Sequence, residues 1–285
     1  MKLKVYANRL SQPSRAVIIL CKVNGIDFEE VRIDLIKGEH QSQKYRGSSS
    51  ETKFAHNCIG IFAVNDVYEV YVAVSIHGVA GGPLTPRSSS QSLPQVKPLL
   101  MEEEDGCWPK QPHAILSYIA CSFPGVPDHW YPADLSSRAK INSILDWHHS
   151  NLRLGSNTFA MNTVLAPVFG RTLNPQSAME AEKLLTSSLS NIESIWLKGD
   201  AKFLLGNLGP SIADLSLACE IMQSELWYDK DRERILGPHP KILRWVENVK
   251  NATDPYFEEV HGVLYRTKAM LHSPQSPASK NFSKL

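Results

Sequence analysis

Lys2-Leu3-Lys4-Val5-Tyr6, followed by Leu10-Ser11-Gln12-Pro13-Ser14-Arg15-Ala16-Val17-Ile18-Ile19-Leu20-Cys21-Lys22-Val23-Asn24-Gly25, is the stretch that decides the fold. Leu3 and Val5 alternate with lysines, which puts both on one face of a short strand. Ala16, Ile19, Leu20 and Val23 then recur at helical spacing. Pro13 suits the first turn of that helix, where the backbone N–H has no partner in any case, and Gly25 suits its stop. Ile26, Phe28, Val31 and Ile33 make a second strand-like run. Strand, helix and strand in this order form a βαβ opening, for which a right-handed crossover is expected.

Downstream the pattern changes. From about residue 47 to 112 the βαβ logic stops. Cys58 to Gly82 is rich in β-branched residues but has no clear turn punctuation. Gly81-Gly82-Pro83 to Pro98 reads as a Gly/Pro/Ser linker centred on Ser88-Ser89-Ser90-Gln91-Ser92, and Glu102 to Asp105 as a solvated acidic run. Order returns at His113-Ala114-Ile115-Leu116-Ser117-Tyr118. A Pro-punctuated connector, Phe123 to Pro132, reads as an interdomain linker. The remainder is helical. Ile141, Leu145, His148 and Leu152 share a face. Asn174-Pro175 caps a helix whose buried stripe is Leu185, Leu189, Ile192 and Trp196, ended by Gly199. Ser211-x-x-Asp214 is a capping box opening Ile212 to Leu226, and Pro240 opens a helix through Val249. No internal repeat is present.

The chain has 285 residues, about two domains at ~150 residues each. Hydrophobic residues at 42% and charged residues at 21% exclude wholesale disorder. Thirty Lys and Arg against 29 Asp and Glu leave a net charge of +1. This gives no electrostatic reason to expect nucleic acid or a membrane surface as partner. The cysteines at 21, 58, 107, 121 and 219 form no C-x-x-C, which argues against a disulfide framework or a metal site and fits a reducing compartment. The N-terminus lacks the apolar region of a secretory signal. The longest apolar stretch, Cys58 to Gly82, carries Asn65, Asp66, Glu69 and His77, which argues against a membrane span. The final residues Ser283, Lys284 and Leu285 read as a peroxisomal address recognised by an import receptor, on a polar tail from Ser273.

The chemistry concentrates at the first strand-to-helix turn. A helix N-terminus presents unpaired N–H groups and a positive partial charge, which favour an anion such as a thiolate. A hydroxyl placed just before the helix can donate a hydrogen bond to that thiolate and lower its pKa. By spacing alone Ser11 has two readings: activation of a bound thiol, or a plain N-cap, for which serine is a preferred residue. His148-His149 reads as a core or interface pair, because no partner stands at metal spacing. No adjacent base marks any cysteine as a nucleophile.

Ser11-Gln12-Pro13-Ser14-Arg15-Ala16, Asn24-Gly25-Ile26 and Lys37-Gly38-Glu39-His40 resemble the opening of theta-class glutathione transferases, above all plant members. His113-Ala114-Ile115-Leu116, Asp128-His129-Trp130-Tyr131-Pro132, Leu145-Asp146-Trp147-His148 and Pro210-Ser211-Ile212-Ala213-Asp214-Leu215 extend the likeness. It covers residues 1 to about 46 and about 113 to 270, in the family's order. The resemblance implies an α/β thioredoxin-like N-terminal domain followed by an all-α helical C-terminal domain. The divisions it implies are 1–122 for the glutathione-binding domain, with an atypical segment at 47–112, then a linker at 123–133. The helical domain with the electrophile pocket spans 134–270, and a flexible tail spans 271–285. It further implies glutathione as co-substrate, no metal, a homodimer, and electrophiles or organic hydroperoxides as the second substrate. Ser11 matches the catalytic serine, Gln12 adjoins it in the glutathione site, and His40 and Gln41 match contacts to the glycyl end of glutathione.

The segment after Arg46 departs from the family. Absent are the Asn-Pro turn, a strand ending in Val-Pro with a cis proline, a Gly turn, a second strand and a Glu-Ser pair. Gln111-Pro112 stands where Glu-Ser should bind the γ-glutamyl carboxylate. Gln111 can still hydrogen-bond there, but Pro112 offers neither hydroxyl nor N–H. A genuine insertion and an altered reading of the gene both account for this. The second is favoured by the loss of local consistency, and Pro98 to Glu104 can be back-translated so that a shifted frame resembles the missing strand–turn segment. Tyr71 to Ile76 is β-prone and uncharged, and Cys58 to Ile76 is the segment available to replace the lost strands. The expected function is glutathione conjugation with hydroperoxide reduction, Ser11 stabilising the thiolate. The alternative is a catalytically impaired relative whose glutathione site is broken.

Overall fold

The structure, a computed structural model, describes residues 2–33, 58–59, 72–77 and 112–273. His40, Gln41, Gln111 and Ser283-Lys284-Leu285 lie outside the described residues, as do the linker at 81–98 and the acidic run at 102–105.

The opening folds as its residues dictate. Strand β1 (Lys2–Ala7) leads into helix α1 (Gln12–Val23), and β2 (Phe28–Arg32) returns parallel to β1, Val5 opposite Glu30. Pro13 occupies the first turn of α1. Gly25, at φ 63°, makes the left-handed exit that a side chain would resist. Two further strands complete a mixed sheet: β3 (Cys58–Ile59) and β4 (Val72–His77). The order is β2-β1-β4-β3, with β4 antiparallel to β1 over its full length, Val74 opposite Val5. The β-prone run at 71–76 therefore supplies the second neighbour of β1.

Helix α2 (Pro112–Ser122) packs on α1. A 3₁₀ turn at Asp128–Trp130 leads to α3 (Leu135–His148), which continues through a π-helical turn (His149–Arg153) into α4 (Leu154–Ala160). Then come α5 (Pro175–Asn191), α6 (Ile212–Ile221), α7 (Asp229–Leu236), α8 (Pro240–Ala252) and α9 (Tyr256–Leu271). Asn174 caps α5 by accepting from the Ser177 N–H at 3.1 Å. Gly155 lets α4 meet α5: a Cβ there would lie 2.9 Å from the Leu185 backbone nitrogen.

Helix α6 is the axis of the helical part and is buried on every side. Its capping box forms as its spacing predicts, with Asp214 accepting from the Ser211 N–H at 2.8 Å. The other Asp214 oxygen accepts from the Leu204 N–H at 2.7 Å and from Trp245 Nε1 at 2.8 Å, which ties α6 to α8. Helix α1 packs against α6 and α9 as well as the sheet side, so Gln12 to Cys21 are all buried. Burying each of Ile18, Ile19 and Leu20 contributes ~1.5–3 kcal/mol. The first turn of α1 is thus seated between the two parts of the molecule.

Candidate functional site

The site is built around the β1–α1 turn. The Asn8 side-chain oxygen accepts from the Leu10 N–H at 2.9 Å, and its Nδ2 donates to the Ile33 carbonyl at 2.8 Å, tying the turn to the end of β2. Ser11 N donates back to the Asn8 carbonyl at 2.9 Å. Ser11 then leaves the chain extended (φ −83°, ψ 127°), and its Oγ accepts from the Ser14 N–H at 3.3 Å. It is the N-cap of α1. Capping uses a lone pair of the hydroxyl oxygen and leaves the O–H to donate elsewhere. The two readings of Ser11 are therefore compatible in one geometry.

Arg15 grips this turn from inside the helix. It is fully buried, and its Nη1 donates to the carbonyls of Arg9 at 3.0 Å and Leu10 at 2.9 Å. Its Nη2 reaches α6, donating to the Cys219 carbonyl and, beyond α6, to Gln223 Oε1, both at 2.9 Å. Burial brings the guanidinium down to about 10, with Glu220 opposing the shift, so it stays charged at neutral pH.

Gln12 also looks across the boundary. Its Nε2 donates to Glu220 Oε1 at 3.1 Å. Glu220 is buried on α6, with Oε2 3.4 Å from His148 Nε2 and 3.9 Å from Arg153 Nη1. Burial would raise the Glu220 carboxyl, but His148, Arg153 and Ser156 outweigh it and hold the group below the usual carboxylate range. His148 Nδ1 lies 3.2 Å from His113 Nε2, which is 3.1 Å from Ser216 Oγ. The His113 and His149 rings sit 4.4 Å apart between centroids. Burial pushes the imidazoles of His113 and His148 down, and His149 down to about 4. His148-His149 is thus a packed pair, and among the described residues no group of three or more His, Cys, Asp or Glu is arranged for a metal. Cys21 and Cys219 are buried, and burial pushes both thiols up to about 12.

Of the expected site residues, the described structure brings together Ser11 and Gln12. Reading the sequence overlooked Glu220 and gave Arg15 no role. The signal was present. A glutamate inside the apolar run Leu215 to Met222 must be paired if the helix is buried, because a lone buried carboxylate is too costly.

No protein-family model matches the chain. Glutathione S-transferase theta-2 of Mus musculus is 30% identical over 253 residues, covering 88% of this chain and 81% of that protein. Glutathione S-transferase T1 of Arabidopsis thaliana is 46% identical over 268 residues, covering 94% of this chain and 91% of that protein. The chain belongs to the theta-class glutathione S-transferases. The solved human glutathione S-transferase T1-1 in its apo form agrees, with a TM-score of 0.66 at 28% identity over 99% of this chain and 95% of that one. A human theta-2 transferase solved with glutathione gives a TM-score of 0.68 at 23% identity, over 99% and 96% of the two chains, and speaks for the fold alone. A transferase of this class has a thioredoxin-like domain followed by an all-α domain, which matches the described sheet and helices.

Proposed function

We propose that this chain conjugates glutathione to electrophiles and reduces organic hydroperoxides, with Ser11 donating a hydrogen bond to the glutathione thiolate. The observation that carries the proposal is the N-cap geometry of Ser11: Oγ 3.3 Å from the Ser14 N–H, at the positive end of a buried twelve-residue helix. A thiolate placed there accepts a hydrogen bond from the Ser11 hydroxyl and feels the helix field together, and both stabilise its charge. In conjugation the thiolate sulfur bonds to the electrophilic carbon and the leaving group departs with the bonding pair. In peroxide reduction the sulfur attacks the distal oxygen, the O–O bond breaks, and the alkoxide takes a proton to become the alcohol. The sulfenic form of glutathione then condenses with a second glutathione, giving the disulfide and water. The protein contributes by holding the partners together and keeping the thiol ionised.

His40 and Gln41 would hold the glycyl end of glutathione, and Gln111 stands in the sequence where the family's Glu-Ser pair meets the γ-glutamyl end. Gln12 has its Nε2 committed to Glu220, so its carboxamide oxygen or main chain is what it can offer glutathione. A homodimer and a peroxisomal destination, read from Ser283-Lys284-Leu285, belong to the same reading. The test is Ser11→Ala. Losing one unit of thiol pKa shift is worth ~1.4 kcal/mol, so kcat near neutral pH falls by up to about tenfold, and its acid limb moves to higher pH. The lost cap destabilises the fold by only ~1 kcal/mol. Equal turnover by the mutant would remove Ser11 from the chemistry.

Two observations favour a second reading, a catalytically impaired relative. Helix α2 opens on Pro112, which has no N–H to give the γ-glutamyl carboxylate. Residues 14 to 82 contain no proline, so no Val-Pro pair precedes β4, the strand beside β1. In this reading the fold is retained and glutathione is not bound.

A further inference from the structure

The two side chains flanking the Ser11 cap within α1 are both fastened from the helical part of the molecule. Arg15 clasps the carbonyls of Arg9 and Leu10 and reaches the Cys219 carbonyl and Gln223. Gln12, the residue after Ser11, is 3% exposed and donates to Glu220 at 3.1 Å. Glu220 itself is fully buried. Its second oxygen faces His148 at 3.4 Å and Arg153 at 3.9 Å. The approach of His148 Nε2 to Glu220 is an electrostatic contact without an aligned hydrogen bond. It brings His113, His148, Glu220 and Gln12, from four segments of the fold, into one connected cluster. Arg153 reaches Glu220 from the π-helical turn, a local irregularity that often marks a functional position.

We infer that Glu220 is a positioning residue for Ser11: through the Gln12 carboxamide it holds the first turn of α1 in register with the helical part. This rests on the proposed role of Ser11 for its catalytic consequence, but not for its structural one. The charged and titratable groups facing Glu220 are Arg15, His148 and Arg153, with His113 and His149 behind His148. Two opposed effects follow from its loss. Release of Ser11 weakens thiolate stabilisation and raises the thiol pKa. Removal of a nearby negative charge alone would lower it.

The experiment compares full-length wild type, Glu220→Gln and Gln12→Met. In the chain without glutathione, amide exchange at Ser14 and Arg15, whose N–H groups bond to Ser11, is expected to quicken about tenfold in both variants, while α5 amides stay unchanged. In turnover, the acid limb of kcat is expected to move up by about 0.5–1 pH unit. Unchanged exchange at Ser14 and Arg15, or equal acceleration throughout the molecule, would overturn the inference. So would an acid limb that moves down, which would mean that Glu220 acts through its charge. If wild type neither binds nor turns over glutathione, the functional reading fails by itself, and the exchange result still decides whether Glu220 positions Ser11. Gln12→Met keeps the decision open where Glu220→Gln fails to fold.

Discussion

At the scale of single residues, the described part of the molecule keeps several titratable side chains away from water. His148 and His261 are buried and His113 is half-buried; all three are held neutral, chiefly by desolvation, and His149 is brought down to about 4. Each folded imidazole takes up a proton at a lower pH than in the unfolded chain, where histidine titrates near ~6.5. The unfolded state thus binds more protons as pH falls below ~6.5, and stability is lost progressively on acidification. His148 and His261, fully buried, each contribute up to ~1.4 kcal/mol per pH unit over their windows, and the partly exposed His113 and His149 contribute less. Glu220, with its carboxyl held low, adds a loss only as pH falls through the carboxylate range. Asp214 opposes this there, because burial raises its carboxyl despite four hydrogen bonds. Urea unfolding at pH 7.5 and pH 5.0 should therefore show a clearly lower midpoint at the acidic value, and equal midpoints would contradict the buried neutral assignment. Little of this network was legible in the sequence. Gln12 and Glu220 are 208 residues apart and His113 and His148 are 35 apart, so no local pattern announces either contact.

At the scale of elements, legibility follows the range of the interaction. The βαβ opening, the Asn174 cap and the Ser211–Asp214 box are set by residues within a few positions of each other, and all three form as read. Strands β3 and β4 depend on distant pairing, and their weak alternation left them undecided until β1 supplied a partner. β4 carries the first-domain sheet beyond the βα opening: it lies between β1 and β3, Val74 opposite both Val5 and Ile59. A proline has no N–H for a ladder and is excluded from such an interior position. Val74→Pro is expected to open that side of β1. Amide exchange along Lys2–Ala7 should quicken by at least tenfold while α5 keeps its protection. Unchanged exchange in β1 would show that β4 does not pair there.

At the scale of the whole molecule, the fold of the family and the chemistry of the family are separable. The helical part and the βα opening are intact, and both converge on the first turn of α1, which Ser11 caps and where Gln12 and Arg15 are fastened to α6 and its extension. Helix α2 opens on Pro112, which has no backbone N–H to donate, and under the proposed function this is the position that would face the γ-glutamyl end of glutathione. Net charge, at +1, gives glutathione no long-range pull, so affinity has to come from local contacts. The measurement that tests the central claim most directly is calorimetric titration of the folded, full-length chain with glutathione at neutral pH. The account predicts saturable binding at about one site per chain, a value fixed by one Ser11 per chain. No binding heat across temperatures from a soluble, folded protein would contradict it and leave the family fold without the family chemistry.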